Sequence, residues 1–280
     1  LDELREALEI ATEEELKHLT QILFSRKFNP LDYWQTPEPI EVQSQSWDDW
    51  LDSLEDRFRY LAADGLTILR GKSRSISYRQ ALIQVCRYLK IPYSVQMSTT
   101  DIEAEIFLHL VSKAWKRLPA KEQKSLTVRV QKSLAQSDLP EPLPVHLQRD
   151  PLNFFLKGSG VFAISSILRP FLLKQIATQF ALHFASYQVA KTALIQGGAA
   201  AAVQFENYVA MQAAQRGMAL SAARYASVRT AFAFLGPILW GCFLADLGWK
   251  AIATNYGRII PVIFALAQIR LTRTECWQEA

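Results

Sequence analysis

The chain has 280 residues, half of them hydrophobic, with 31 basic and 27 acidic side chains. That length suits one large domain or two modest ones, each with a sizeable core. Its three cysteines (Cys86, Cys242, Cys276) show no CxxC or paired spacing, which speaks against a disulfide framework and for a reducing compartment.

The net charge of +4 hides a strong sorting by sign. Residues 1–64 carry 16 acidic and 6 basic side chains, whereas residues 65–132 carry 13 basic and 4 acidic ones. Between Val161 and Leu271 there are only 11 charged residues. Blocks of this kind can dock on each other or leave a basic face for an anionic surface. The opening stretch is acidic and amphipathic, unlike a secretory signal.

In chain order, Leu1, Leu4, Leu8 and Ala11 form one apolar stripe, and Thr12 with Glu15 makes a capping box for a second helix. Residues 25–46 read as a loop. Ser46 caps a helix whose apolar stripe is Trp47, Trp50, Leu51, Leu54, Phe58 and Leu61. Ser77 starts another, with Leu82, Val85, Cys86 and Leu89 on one face and Pro92 as its stop. Thr100 and Glu103 form an expected capping box for a helix to about Arg117, burying Ile102, Ile106, Leu110, Ala114 and Trp115. Pro119 suits the start of a further helix to about Ala135.

Seven Lys/Arg between Lys113 and Lys132 at helical spacing read first as a wet helix face. Four prolines between Pro140 and Pro151 mark a linker. Beyond it, helices are expected at roughly 170–196, 199–235, 237–253 and 259–273. In the first of these, Lys174, Gln175, Thr178, Gln179, His183 and Ser186 share one half of the surface, while Ile176, Phe180, Phe184 and Tyr187 take the other. No strand alternation is visible. The expected fold is all-α: a short helical module (1–24), a helical domain (47–136), a Pro-rich linker (137–157), a bundle of long, charge-poor amphipathic helices (158–273) and a tail (274–280).

A spanning helix needs about 20 apolar residues. The longest uncharged intervals within 161–271, residues 175–190 and 230–245, hold 16 each. Gly236-Pro237 breaks the second, and a polar stripe runs along the first. A simple span is therefore disfavoured; an inserted hairpin, a peripheral association and a self-contained bundle stay open. Trp240 and Trp249 would suit a membrane interface, although aromatic residues at such spacing more often belong to a core.

Gly71-Lys72-Ser73 resembles the end of a phosphate-binding loop, but the required earlier glycine is missing: Leu66 stands there. The four histidines (His18, His109, His146, His183) are far apart, and Glu105 with His109 lacks the second pair a di-iron bundle needs. No metal, cofactor or catalytic constellation is expected. The tract Arg70, Lys72, Arg74 and Arg79 contains one aromatic, Tyr78, which fits anionic lipid or an acidic protein better than a nucleic acid.

At residues 78–116, Tyr78, Leu82, Val85, Leu89, Met97-Ser98-Thr99, Ile102-Glu103 and Trp115-Lys116 resemble the YaaW family of uncharacterised bacterial proteins. Tyr256, Ile260-Pro261 and Arg270 resemble that family's ending, and the opening 24 residues resemble its N-terminal module. Ala62-Ala63 stand where the family pattern has paired glycines, a departure in that loop. The family's central segment is grouped with the ubiquinol–cytochrome c chaperone domain. The resemblance thus implies an all-α module that holds a client protein near a membrane. The resulting expectation is a non-enzymatic, membrane-associated chaperone or assembly factor. It would be cytoplasmic, or peripheral on the inner face of a membrane. Its partner would be a protein client or an anionic membrane surface, with Arg70, Lys72, Arg74, Arg79, Trp240 and Trp249 as contact residues. The alternative is a soluble all-α scaffold or homo-oligomeric interaction protein.

Overall fold

A computed structural model describes residues 2–24, 36–63, 76–137, 139, 141–156, 168–195 and 256–273. These residues are predominantly helical and contain no strand. Local capping explains where most helices begin. In α1 (Glu3–Glu9) the Asp2 carboxylate accepts from the Leu4 amide at 3.2 Å. α2 (Glu13–Phe24) opens on the Thr12–Glu15 box, with the Thr12 amide donating to Glu15 Oε2 at 2.8 Å. Within the expected loop, a short α3 (Pro39–Gln43) starts with proline in its first turn. Ser46 caps α4 (Trp47–Ala62), and Ser77 with Gln80 closes a reciprocal box on α5 (Tyr78–Leu89).

The sixth helix departs from the expected start. α6 (Thr99–Arg117) is capped by Ser98, whose Oγ accepts from the Asp101 amide at 3.1 Å. The Thr100–Glu103 box does not form. Both Ser98-x-x-Asp101 and Thr100-x-x-Glu103 fit the capping pattern, and the helix uses the earlier one. Glu103 is thereby turned into the core, 1% exposed.

α7 (Ala120–Ala135) follows Pro119 directly. The Pro-rich segment is partly helical, with α8 (Val145–Arg149) and α9 (Pro151–Leu156). It is pinned down by buried Leu147 and Leu152 and by the Ser112 hydroxyl, which donates to the Leu156 carbonyl at 3.0 Å. α10 runs from Leu168 to Ile195, and α11 from Tyr256 to Arg273. The helices expected over 199–235 and 237–253 lie outside the described residues.

The core is organised around α11. It packs against α1, α2, α4, α5, α6 and α10, and every residue from Arg258 to Thr272 is buried. A helix apolar on all sides requires an all-round enclosure, and the amphipathic stripes of the N-terminal helices supply it. Tyr88 stacks on Tyr256 at 4.3 Å, Phe107 stacks on Phe264 at 5.0 Å, and Glu103 meets Arg270. These contacts set α11 antiparallel to both α5 and α6. One apolar core thus includes Leu4, Leu16, Leu54, Leu82, Ile106, Leu172 and Ile263, residues from both sides of the Pro-rich segment. Trp47 departs from the expected apolar stripe of α4: it is exposed and meets Trp50 edge-on at 6.1 Å.

The polar stripe of α10 faces protein. Gln175 donates to Ser137 at 3.0 Å and accepts from Ser133 at 2.5 Å, Gln179 donates to Ser133 at 3.2 Å, and His183 meets Glu122 at 3.1 Å. All these partners belong to α7 or the turn after it. Among the described residues no helix is long and apolar enough to cross a membrane.

Candidate functional site

A group of ionisable side chains built around the buried Glu103 and Arg270 lies where the end of α11 meets α1, α5 and α6. Arg270 is 5% exposed, with Nε 3.4 Å from Glu103 Oε2 and Nη1 3.7 Å from Glu6 Oε2. Nη2 donates to the Glu3 carbonyl. Burial pushes the Glu103 carboxyl up to about 7, against the opposing pull of the Arg270 guanidinium. The Tyr78 hydroxyl stands beside this carboxyl without a well-aligned hydrogen bond, and burial holds its pKa well above the ordinary phenol value. One turn further, Arg273 forms a two-pronged pair with Glu15 at 2.6 Å and 2.6 Å and donates to the Ile10 carbonyl at 2.8 Å. The Glu15 that closes the α2 capping box thus also fastens α11.

This cluster works as a latch. Its guanidinium groups join helices distant in sequence; Glu103 lies inside the packed core, Glu15 is partly buried and Glu6 reaches the surface. A buried pair of this type gives weak net stability but fixes which helices meet and in what register. A second ionic group joins α10 to α6: Arg169 lies 2.9 Å from Asp101 and 3.5 Å from Glu105. Burial raises the Glu105 carboxyl, with Arg169 opposing.

Among the described residues the other candidate chemical groups are partly or wholly buried. Burial lowers His109 to about 4, assisted by Lys113 and Lys116, and burial likewise lowers His18 to about 4. The Cys86 thiol is buried and pushed up to about 12, too high for an activated nucleophile. His183 is 3% exposed; burial chiefly lowers its pKa, although the Glu122 carboxylate pulls the other way. Among the described residues no group of three His, Cys, Asp or Glu could hold a metal ion. A groove of about 570 Å³ lies at the end of α7, lined by Leu134, Leu139, Pro142, Leu143 and Leu147 among others. Among its described lining residues Glu141 is the only carboxylate, and none is a histidine or cysteine.

Of the contact residues expected from sequence, Arg79 is the one inside the described structure. Its guanidinium donates to the Met97 carbonyl at 2.6 Å and the Val95 carbonyl at 2.8 Å, so it braces the turn before α6. Arg70, Lys72, Arg74, Trp240 and Trp249 lie outside the described residues.

Two surfaces separate by charge. Around α1 and α4, Arg5 is met by Glu9, Asp48, Asp52 and Glu55, while Arg59 is met by Asp2 and Glu55. Acids outnumber bases there, and Asp48 and Asp52 remain well exposed. On α7 and the end of α6 the order reverses: Lys116, Lys121, Lys124, Arg129 and Lys132 are all exposed. Spacing alone showed a basic helix. The inward turn of its carboxylate, Glu122, required the contact with α10.

The sequence matches no family model, and neither curated proteins nor solved structures show a significant similarity to it.

Proposed function

We propose that this chain is a non-enzymatic, membrane-associated assembly factor or chaperone: a helical platform that holds a protein partner at a membrane surface. The observation that carries the reading is the division of labour among its charges. Its buried ionisable groups join helices to one another, while its surface charges are sorted into an acidic side around α1 and α4 and a cationic side on α7. Sorted surface charge serves association and orientation. The resemblance to the YaaW family points the same way.

In this proposal the membrane contact does not lie on the two described charge-poor helices, α10 and α11. In α10 the polar stripe meets α7, and α11 is enclosed on all sides. Neither of these surfaces is available to lipid in this fold. Among the described residues the outward-facing charge is what remains for a headgroup surface, and the acidic side is left for a partner.

Membrane fractionation combined with cross-linking in native membranes tests this reading. Recovery in the membrane fraction at low salt, with a reproducible protein neighbour, is the expected result. A chain wholly in the supernatant at low salt overturns it. Opposite charges on one molecule also favour a second reading, a scaffold whose copies associate head to tail. A mass that falls from oligomer to monomer as salt is raised would mark that alternative.

A further inference from the structure

On the outward stripe of α7 every charge is cationic, and aliphatic side chains lie among the lysines. At 3.6 residues per turn, Lys121, Lys124, Val128 and Lys132 fall within an arc of about 80°. The buried Leu126, Val130 and Leu134 lie on the opposite side of the same helix. All four outward residues are exposed, Val128 to 54%. The three lysines have no ion-pair partner among the described residues.

The carboxylate positions explain why this face is unopposed. Glu122 is the one acid on α7, and its Oε2 lies 3.1 Å from His183 Nε2, turned towards α10. The α6 carboxylates Asp101, Glu103 and Glu105 are likewise engaged by Arg169 and Arg270. These four acids, on α6 and α7, are therefore directed away from the stripe. Lys116, at the end of α6, is exposed and adds to the same cationic neighbourhood.

We infer that this stripe is a docking surface for an anionic phospholipid bilayer. The inference rests on the proposed membrane association and assigns its contact face. A row of lysines about 17 Å long suits a plane of headgroups, because an ammonium is a compact charge on a flexible stem that needs no fixed fork geometry. Near an anionic leaflet each lysine contributes about 1 kcal/mol, about fivefold in affinity. Val128 sits between the lysines, where its side chain can enter the headgroup layer while the lysine stems lie alongside it. α7 contains no aromatic side chain on which a nucleobase could stack, so a single-stranded nucleic acid is the poorer match. The apolar side of α7 is committed to the protein core, so the docking is peripheral and salt-sensitive.

The test is co-sedimentation of the full chain with vesicles of phosphatidylcholine alone or containing about 30% phosphatidylglycerol, at low and high salt. Binding to the anionic vesicles alone, weakened by salt, is expected. The K121E/K124E/K132E variant should bind them at least about tenfold more weakly. Its circular dichroism and melting temperature should match the wild type, because all three side chains are exposed. A triple variant that still binds like wild type overturns this face while leaving membrane association intact. A wild-type chain that ignores anionic vesicles overturns both. Binding to duplex DNA or polyglutamate as tight as to the vesicles overturns the assignment to a bilayer.

Discussion

Glu103 shows how one side chain can be misassigned by local pattern and reassigned by a distant partner. The sequence offers two overlapping capping patterns two residues apart, and both are chemically sound. Ser98 takes the cap, and Glu103 meets Arg270 from the other end of the chain. Removing one member of such a buried pair leaves the other charged and unpaired. Arg270→Met should therefore destabilise the protein by about 3–5 kcal/mol in urea denaturation, and a paired Glu103→Leu change should recover much of that loss. An equal loss in the single and double variants would mean that the two side chains are not coupled.

The same carboxyl gives stability a pH dependence. Burial, the largest influence, raises it from 4.5 in an ordinary setting to about 7 in the fold. Between those values the folded state binds the proton more tightly than the unfolded one. Its contribution is full below about 4.5, declines as pH rises, and is gone once the folded group ionises near 7. Glu103→Gln should flatten this part of the profile, measured as melting temperature against pH. An unchanged slope would place the titration elsewhere.

At the scale of elements, most helix starts were legible because capping is local. The Thr12–Glu15 box, the Ser46 cap and the Ser77 cap depend on residues within one turn, and all three form. α3, α8 and α9 were missed for a related reason. Each has only five or six residues, too few to show a period among prolines.

α5 ends on Lys90 in the left-handed region, at φ 58° and ψ 39°, while the Ile91 amide reaches back to the Cys86 carbonyl at 2.8 Å. A residue with a Cβ is strained there by about 1–2 kcal/mol, partly offset by the extra unfolded-state freedom of glycine. Lys90→Gly should thus stabilise the protein by about 0.5–1 kcal/mol in chemical denaturation. A destabilised variant would show that the lysine side chain makes a contribution of its own. The polar stripe of α10 was also visible in sequence, but its partner was not. Periodicity shows that Gln175, Gln179 and His183 share a face, and only the fold shows that the face is covered by α7.

For the whole molecule, the decisive feature is the enclosure of α11. The Pro-rich segment suggested a boundary after residue 136, with cores on either side. In the structure the C-terminal helix fills the space among α1, α2, α4, α5 and α6, so those helices need it to complete their core. A fragment of residues 1–157 should lack a cooperative thermal transition and should bind a hydrophobic dye. A sharp transition in that fragment would show that it is complete without α11.

The all-α class, most capped helix starts and the sorting of charge along the chain can be read from the residues alone. These follow from hydrogen bonds and apolar spacings within a few residues, and from composition. Only contacts across the fold reveal that Arg79 braces a turn, that Glu103 lies in the core, that Glu122 turns towards α10 and leaves the outward charges of α7 cationic, and that the charge-poor C-terminal helix is a core element. Each outcome depends on the partner a side chain meets across the fold. For Glu103 and α11 that partner lies far along the chain, and no local pattern encodes it.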